Sequence, residues 1–163
     1  MKKIMKKLLL ELLKNSKRSD REIAKVLGVS QPTITRTRQR LVSEGVIKEF
    51  TVIPDFIKMG YEIMAITCVK VKYKIELKEK EEKWTKMQPN VIFTATAQGM
   101  GKNGVMISLH KNYSDFSSFL TNHLLEWGDN IEDHDTLLVG LGDGVVKPLS
   151  LRYLAELEEA SQD

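Results

Sequence analysis

The stretch that most limits what this chain can fold into is Ser19–Gly45, SDREIAKVLGVSQPTITRTRQRLVSEG. Ser19 followed by Glu22 is a capping box, in which the serine side chain accepts from a first-turn N–H and the glutamate reaches back. Ile23, Ala24 and Leu27 then recur at helical spacing, so this helix hides one apolar stripe. Gly28 closes it, because the residue after a helix often takes the left-handed conformation that glycine tolerates. Ser30 caps the next helix, with Pro32 in its first turn, where a missing N–H costs little. That helix buries Ile34 and Leu41 and turns Gln31, Thr33, Thr35, Arg36, Gln39 and Arg40 outward. Two short helices in this arrangement spell a helix-turn-helix whose second helix carries donors for base edges and phosphates. The candidate DNA-binding residues are Ser30, Gln31, Thr33, Thr35, Arg36, Gln39 and Arg40. Arg36 and Arg40, at i and i+4, share a face and are expected to carry much of the affinity. Arg38 stands four residues after Ile34, where an apolar residue would be expected, and its stem is expected to carry the charge out to phosphate.

A chain of 163 residues holds one ordinary domain or two small ones, and 42% apolar content is that of a globular protein. One cysteine, Cys68, excludes a disulfide framework and a multi-cysteine zinc site. It suits a reducing, cytoplasmic setting, and Cys68 itself reads as a buried apolar residue. The lysines before Leu8-Leu9-Leu10 do not make a signal or a membrane span, because Glu11 and Lys14 interrupt the run. Ile4, Leu8 and Leu12 instead repeat as a basic amphipathic helix over 2–14. The net charge of +3 hides an asymmetry. Residues 1–60 hold 14 Lys or Arg against 6 Asp or Glu, and residues 61–163 hold 11 against 16, so a basic first third joins an acidic remainder. With the helix-turn-helix in the basic part, this pattern points to a nucleic-acid module fused to something else.

Val46–Ile53 alternates imperfectly and is rich in branched residues, which predicts a strand; Pro54 breaks it, and 54–60 reads as a linker. Beyond Gly60 the patterns predict a strand at Ile63–Tyr73, a helix at Ile75–Met87, and strands at Val91–Ala97 and Val105–His110. A helix from Ser114 to Trp127 and a strand at Ile131–Leu141 follow. The order is β-α-β-β-α-β, the split βαβ arrangement, an antiparallel sheet with two helices on one face. A last amphipathic helix over Pro148–Ala160 presents Leu151, Leu154 and Leu157. The expected fold class is α+β, a winged-type helix-turn-helix domain (1–53, with its linking strand) followed by a ferredoxin-like βαββαβ domain (61–163).

This order resembles the Lrp/AsnC (feast/famine) family of prokaryotic transcription regulators over nearly the whole chain. The likeness is most specific at Glu22-Ile23-Ala24, Leu27-Gly28-Val29-Ser30, Arg36, Arg40-Leu41 and Glu44-Gly45-Val46-Ile47. It implies a cytoplasmic regulator of transcription, not an enzyme. Its C-terminal half would sense a small-molecule effector and assemble homodimers, often rings of dimers, on double-stranded DNA. No cofactor, metal or membrane is implied. One departure concerns the hairpin between the second and third strands. Family members usually carry a glycine-to-aspartate segment there, whereas this chain reads Gln98 followed by Gly99, Met100, Gly101, Lys102, Asn103 and Gly104.

Gly99–Gly104 matches GxGxxG literally, but a dinucleotide fingerprint needs a helix directly after it, and an alternating strand pattern follows instead. A flexible hairpin is the plain reading. The six residues are also the candidate effector-binding loop, since exposed N–H groups of a glycine-rich turn can receive a carboxylate or phosphate. His110, His123 and His134 have no metal-ligand spacing. Two other readings of the chain stay open. One is a tetrapyrrole-binding, decarboxylase-like enzyme on the same architecture, since some haem-pathway decarboxylases resemble this family. It would need basic and histidine side chains converging on one cavity, and His110 and His123 are the histidines it could use. The other is an architectural protein that wraps DNA with little sequence preference.

Overall fold

A computed structural model of the chain describes residues 1–72 and 75–160, in two compact units. The first comprises Met1–Ile53 with the segment from Pro148 onward, and the second Pro54–Lys147. In the first unit α1 (Lys3–Lys14), α2 (Asp20–Leu27) and α3 (Gln31–Ser43) enclose a core of Met5, Leu8, Leu12, Ile23, Ala24, Ile34 and Leu41. The capping box forms as its sequence requires: Glu22 N–H donates to the Ser19 hydroxyl, and Ser19 N–H donates to the Glu22 carboxylate at 2.7 Å. Those bonds from Ser19 hold the Glu22 carboxyl below its ordinary range. Gly28 takes φ 65°, ψ 36°, a left-handed cap on α2. Glu11 is buried beneath the loop that joins α1 to α2 and pairs with Lys14 and Arg18. Burial pushes its carboxyl up, but the hydrogen bonds from the two cations outweigh this and keep it ionised.

Two expectations fail in this unit. Val46–Ile53 is not a strand: the N–H groups of Val46 and Ile47 turn back onto the Leu41 carbonyl, Ile47 packs on the core, and the remainder runs without a ladder. A strand exists only with a partner, and no described segment pairs with this one, so Phe50, Val52 and Ile53 stay exposed. The last helix, α6 (Arg152–Ala160), packs on α1 and so belongs with the first unit, not with the domain expected over 61–163. Its predicted leucine stripe is not its buried face. Ala155 is fully buried, whereas Leu151, Leu154 and Leu157 are 58%, 49% and 63% exposed. Glu158 and Glu159, three and four residues after Ala155, pair with Lys6 and Lys14 of α1, which sets the roll of the helix.

The second unit is a four-stranded antiparallel sheet of β1 (Ile63–Val71), β2 (Val91–Gly99), β3 (Lys102–His110) and β4 (Ile131–Gly140), in the order β2-β3-β1-β4. The predicted end of the first strand at Tyr73 lies outside the described residues. Helices α4 (Ile75–Met87) and α5 (Tyr113–Trp127) meet on one face, where Trp84 and Trp127 close over Met106. The opposite face carries an apolar row across all four strands, Phe93–Ile107–Ile66–Leu137, whose ends are 51% and 70% exposed. Cys68 lies one register further along β1 on that face and is only half-buried, not a core residue.

Candidate nucleic-acid interface

Helix α3 begins with Ser30, whose hydroxyl accepts from the Thr33 N–H and lies 2.8 Å from the Thr33 hydroxyl. Its inward stripe is Ile34, Thr37 and Leu41. The core position expected at Arg38 belongs to Thr37, whose hydroxyl donates to the Thr33 carbonyl at 2.7 Å and so enters the core satisfied. Arg38 is not carried out to phosphate. It folds onto α2, donating from Nε to Asp20 Oδ1 at 2.8 Å and from Nη2 to the Arg18 carbonyl at 3.3 Å. Thr35 ends on the same carboxylate, 2.7 Å from Asp20 Oδ2.

The remaining candidates divide by position. Arg36 and Gln39 are exposed on the side opposite the buried stripe and make no hydrogen bond or ion pair among the described residues. Gln31 is exposed at the start of the helix. Arg40 is exposed but pairs with Glu44 one turn on. Thr33, Arg36 and Arg40 also line a recess of about 270 Å³ between α3 and the start of α1, together with Lys2, Ile4, Met5 and Thr37. Arg36 borders a second opening with Gln31, Pro32 and Thr35. Sequence reasoning found the outward face but missed Asp20, whose role depends on partners 15 and 18 residues away.

The GxGxxG stretch is a hairpin. Gly99 pairs with Lys102 across Met100 and Gly101, whose φ of 50° and 73° are those of a type I′ turn, and β3 follows with no helix. Lys102 is not held out to a ligand: its side chain is 6% exposed and pairs with Asp133 and Asp135 of β4. Hydrogen bonds to the two carboxylates raise the Lys102 pKa. The Asn103 amide takes a place in the ladder, accepting from Val71 N–H and donating to its carbonyl, both at 2.8 Å. Gly104 is needed for packing, since a Cβ there would meet Val69 Cγ2 at 2.9 Å. Only the tip, with Met100 85% exposed, faces solvent.

His110 and His123 belong to the aromatic core. The His110 ring lies 5.1 Å from Phe119, with Nε2 at 2.8 Å from the Ser108 hydroxyl. His123 stacks on Phe119 and lies 4.7 Å from Trp84. Burial, reinforced by His134, pushes His123 down to about 4, and burial also lowers His110. Among the described residues no group of three or more His, Cys, Asp or Glu is placed to hold a metal ion, and no helix is long and apolar enough to cross a membrane.

A capped helix-turn-helix joined to a split βαβ sheet unit defines a two-part chain. The comparisons agree. A winged helix-turn-helix DNA-binding family model matches residues 1–48. The HTH-type transcriptional regulator FL11 of Pyrococcus furiosus is 41% identical over 69 residues, 42% of this chain and 46% of that protein. The chain thus spans about half the length of the curated relatives it matches. In fold the likeness runs much further. The crystal structure of PH0061, of Pyrococcus horikoshii, superimposes with a TM-score of 0.79 at 24% identity, over 92% of this chain and 97% of that one. An AsnC family transcriptional regulator from Agrobacterium tumefaciens gives 0.77 at 17% identity, over 94% and 99%. In sequence the likeness is to helix-turn-helix regulators over the first part of the chain, and in fold it is to an AsnC family regulator over nearly the whole of it.

Proposed function

We propose that the chain is a sequence-specific transcriptional regulator that reads double-stranded DNA through α3 as a homodimer or a larger ring of dimers. The observation that carries this is the division of labour on α3. Asp20 fixes Thr35 and Arg38 against α2, while Arg36 and Gln39 are left uncommitted on the outer face. Arginine contacts guanine bidentately and glutamine contacts adenine in the same way, so such a face suits base edges. One helix reads only a few base pairs, and the dimer supplies the second reader. The apolar row Phe93–Ile107–Ile66–Leu137 on the open sheet face, and the unpaired strand-prone segment 46–53, support self-association. Effector control belongs, in this proposal, to the sheet unit. The part of Gly99–Gly104 left for it is the backbone of the hairpin tip at Met100 and Gly101.

The double variant Arg36→Ala/Arg40→Ala tests the reading. It is expected to melt with the wild type and to lose operator affinity by about 2–4 kcal/mol, at least thirtyfold. A folded double variant with unchanged operator affinity refutes it.

A further inference from the structure

The recess between α3 and the start of α1 has a chemistry that a helix-turn-helix does not require. Three cations, Lys2, Arg36 and Arg40, line it with Ile4, Met5, Thr33 and Thr37, and no acidic residue is among the lining groups. Of the cations, Arg40 is partly offset by Glu44, while Arg36 has no partner among the described residues. The α1 end of the recess adds to the positive field. Lys2 is the N-cap of α1, there is no side-chain cap and no acidic residue in the first turn, and the first intrahelical bond is Lys6 N–H to the Lys2 carbonyl. The amides of Lys3, Ile4 and Met5 therefore have no acceptor within the helix, and the helix dipole favours an anion at this end. A volume of about 270 Å³ is several times the share of one water, enough for a phosphate group with part of its hydration shell.

We infer that this recess seats a phosphodiester of the DNA strand that borders the groove read by α3, and that Lys2 is a phosphate-contacting residue. The inference rests on the DNA-binding reading above. Arg36 sits at the junction: it belongs both to the outer face of α3 and to the recess, so a duplex engaged by that face brings its backbone to the recess. Phosphate contacts fix register without reading sequence. The role of Lys2 is thus positional, separable from that of Arg36 and Gln39.

The test is Lys2→Gln in the full chain, with Lys7→Gln as an exposed lysine of α1 outside the recess. Binding is followed by fluorescence anisotropy on a selected operator duplex and a scrambled duplex over a series of salt concentrations. Lys2→Gln is expected to weaken both duplexes about three- to tenfold, to reduce the salt slope by about 0.9, and to leave base preference unchanged. Lys7→Gln is expected to stay within twofold of wild type. An unchanged affinity and slope in Lys2→Gln, or an equal loss in Lys7→Gln, overturns the inference while the DNA reading stands. Titration with inorganic phosphate alone separates the sources of the anion. Saturable binding that is lost in Lys2→Gln without any change on DNA assigns the recess to a free anion and overturns the proposal. A wild-type chain that binds neither duplex removes the DNA reading and this inference together.

Discussion

Two side chains of α3, Thr35 and Arg38, end on the Asp20 carboxylate, and this sorts the donors of the helix into structural and available ones. Asp20 lies in the first turn of α2, where the helix dipole also favours a negative charge. The Asp20→Ala variant is expected to lose about 1–2 kcal/mol of stability in the first unit, read as a lower melting temperature. It also releases Arg38, so non-specific DNA affinity should rise or hold while operator preference falls. An unchanged melting temperature would show that the clamp is not formed. The caps at Ser19, Gly28 and Ser30 were legible in the sequence because each depends on neighbours within a turn. The fates of Thr35 and Arg38 were not, because the carboxylate that binds them comes from the preceding helix and no periodicity encodes it.

At the scale of elements, glycine spacing in the hairpin invited a ligand-loop reading, and the backbone explains it without a ligand. Met100 and Gly101 make the turn, Asn103 completes the ladder, and Gly104 admits Val69. Gly104→Ala is expected to cost about 1–3 kcal/mol by overpacking against Val69, measured by chemical denaturation. A ligand-only role for Gly104 predicts no such loss. The helix-covered face of the sheet makes a prediction in pH. Burial first, with His134 adding to it and Glu126 opposing it, holds His123 at about 4, below its ordinary value of 6.5. The unfolded chain therefore takes up a proton that the folded chain refuses as pH falls through 6.5. Stability is full above that value and declines toward pH 4, by up to about 3 kcal/mol from this residue. In the His123→Phe variant the decline over this window should shrink, and His110, also lowered by burial, accounts for part of what is left. A wild-type-minus-variant difference that is flat from pH 7 to 4 would contradict the assignment. The helices and strands of the sheet unit were readable from their periods. Segment 46–53 was not, because a strand pattern states a preference and only a partner ladder realises it. Helix α6 was misread for a related reason: its leucines mark a helix, but Ala155 and two glutamates decide which side docks.

At the scale of the molecule, the chain leaves the reading unit after Ile53 and returns to it at Pro148, so the sheet unit is spliced between two segments of the reader. The acidic α6 also changes how the charge asymmetry should be read. Part of the basic character of α1 is neutralised within its own unit, through Lys6–Glu158 and Lys14–Glu159, while the recess between α3 and the start of α1 keeps three cations and no acidic lining residue. The domain order was legible because charge and periodicity both change near residue 60, whereas the return of the C-terminus depends on tertiary contacts alone.

Paired reading of DNA by two copies of α3 is the proposal on which the rest depends. Selection of bound sites from random duplex DNA by the full chain, repeated across salt concentrations, tests it most directly. A paired reader enriches a pseudopalindrome with half-sites about 34 Å apart, or a multiple of that, and its affinity falls steeply with salt. Recovery of unenriched sequences, or binding indifferent to salt, would contradict it.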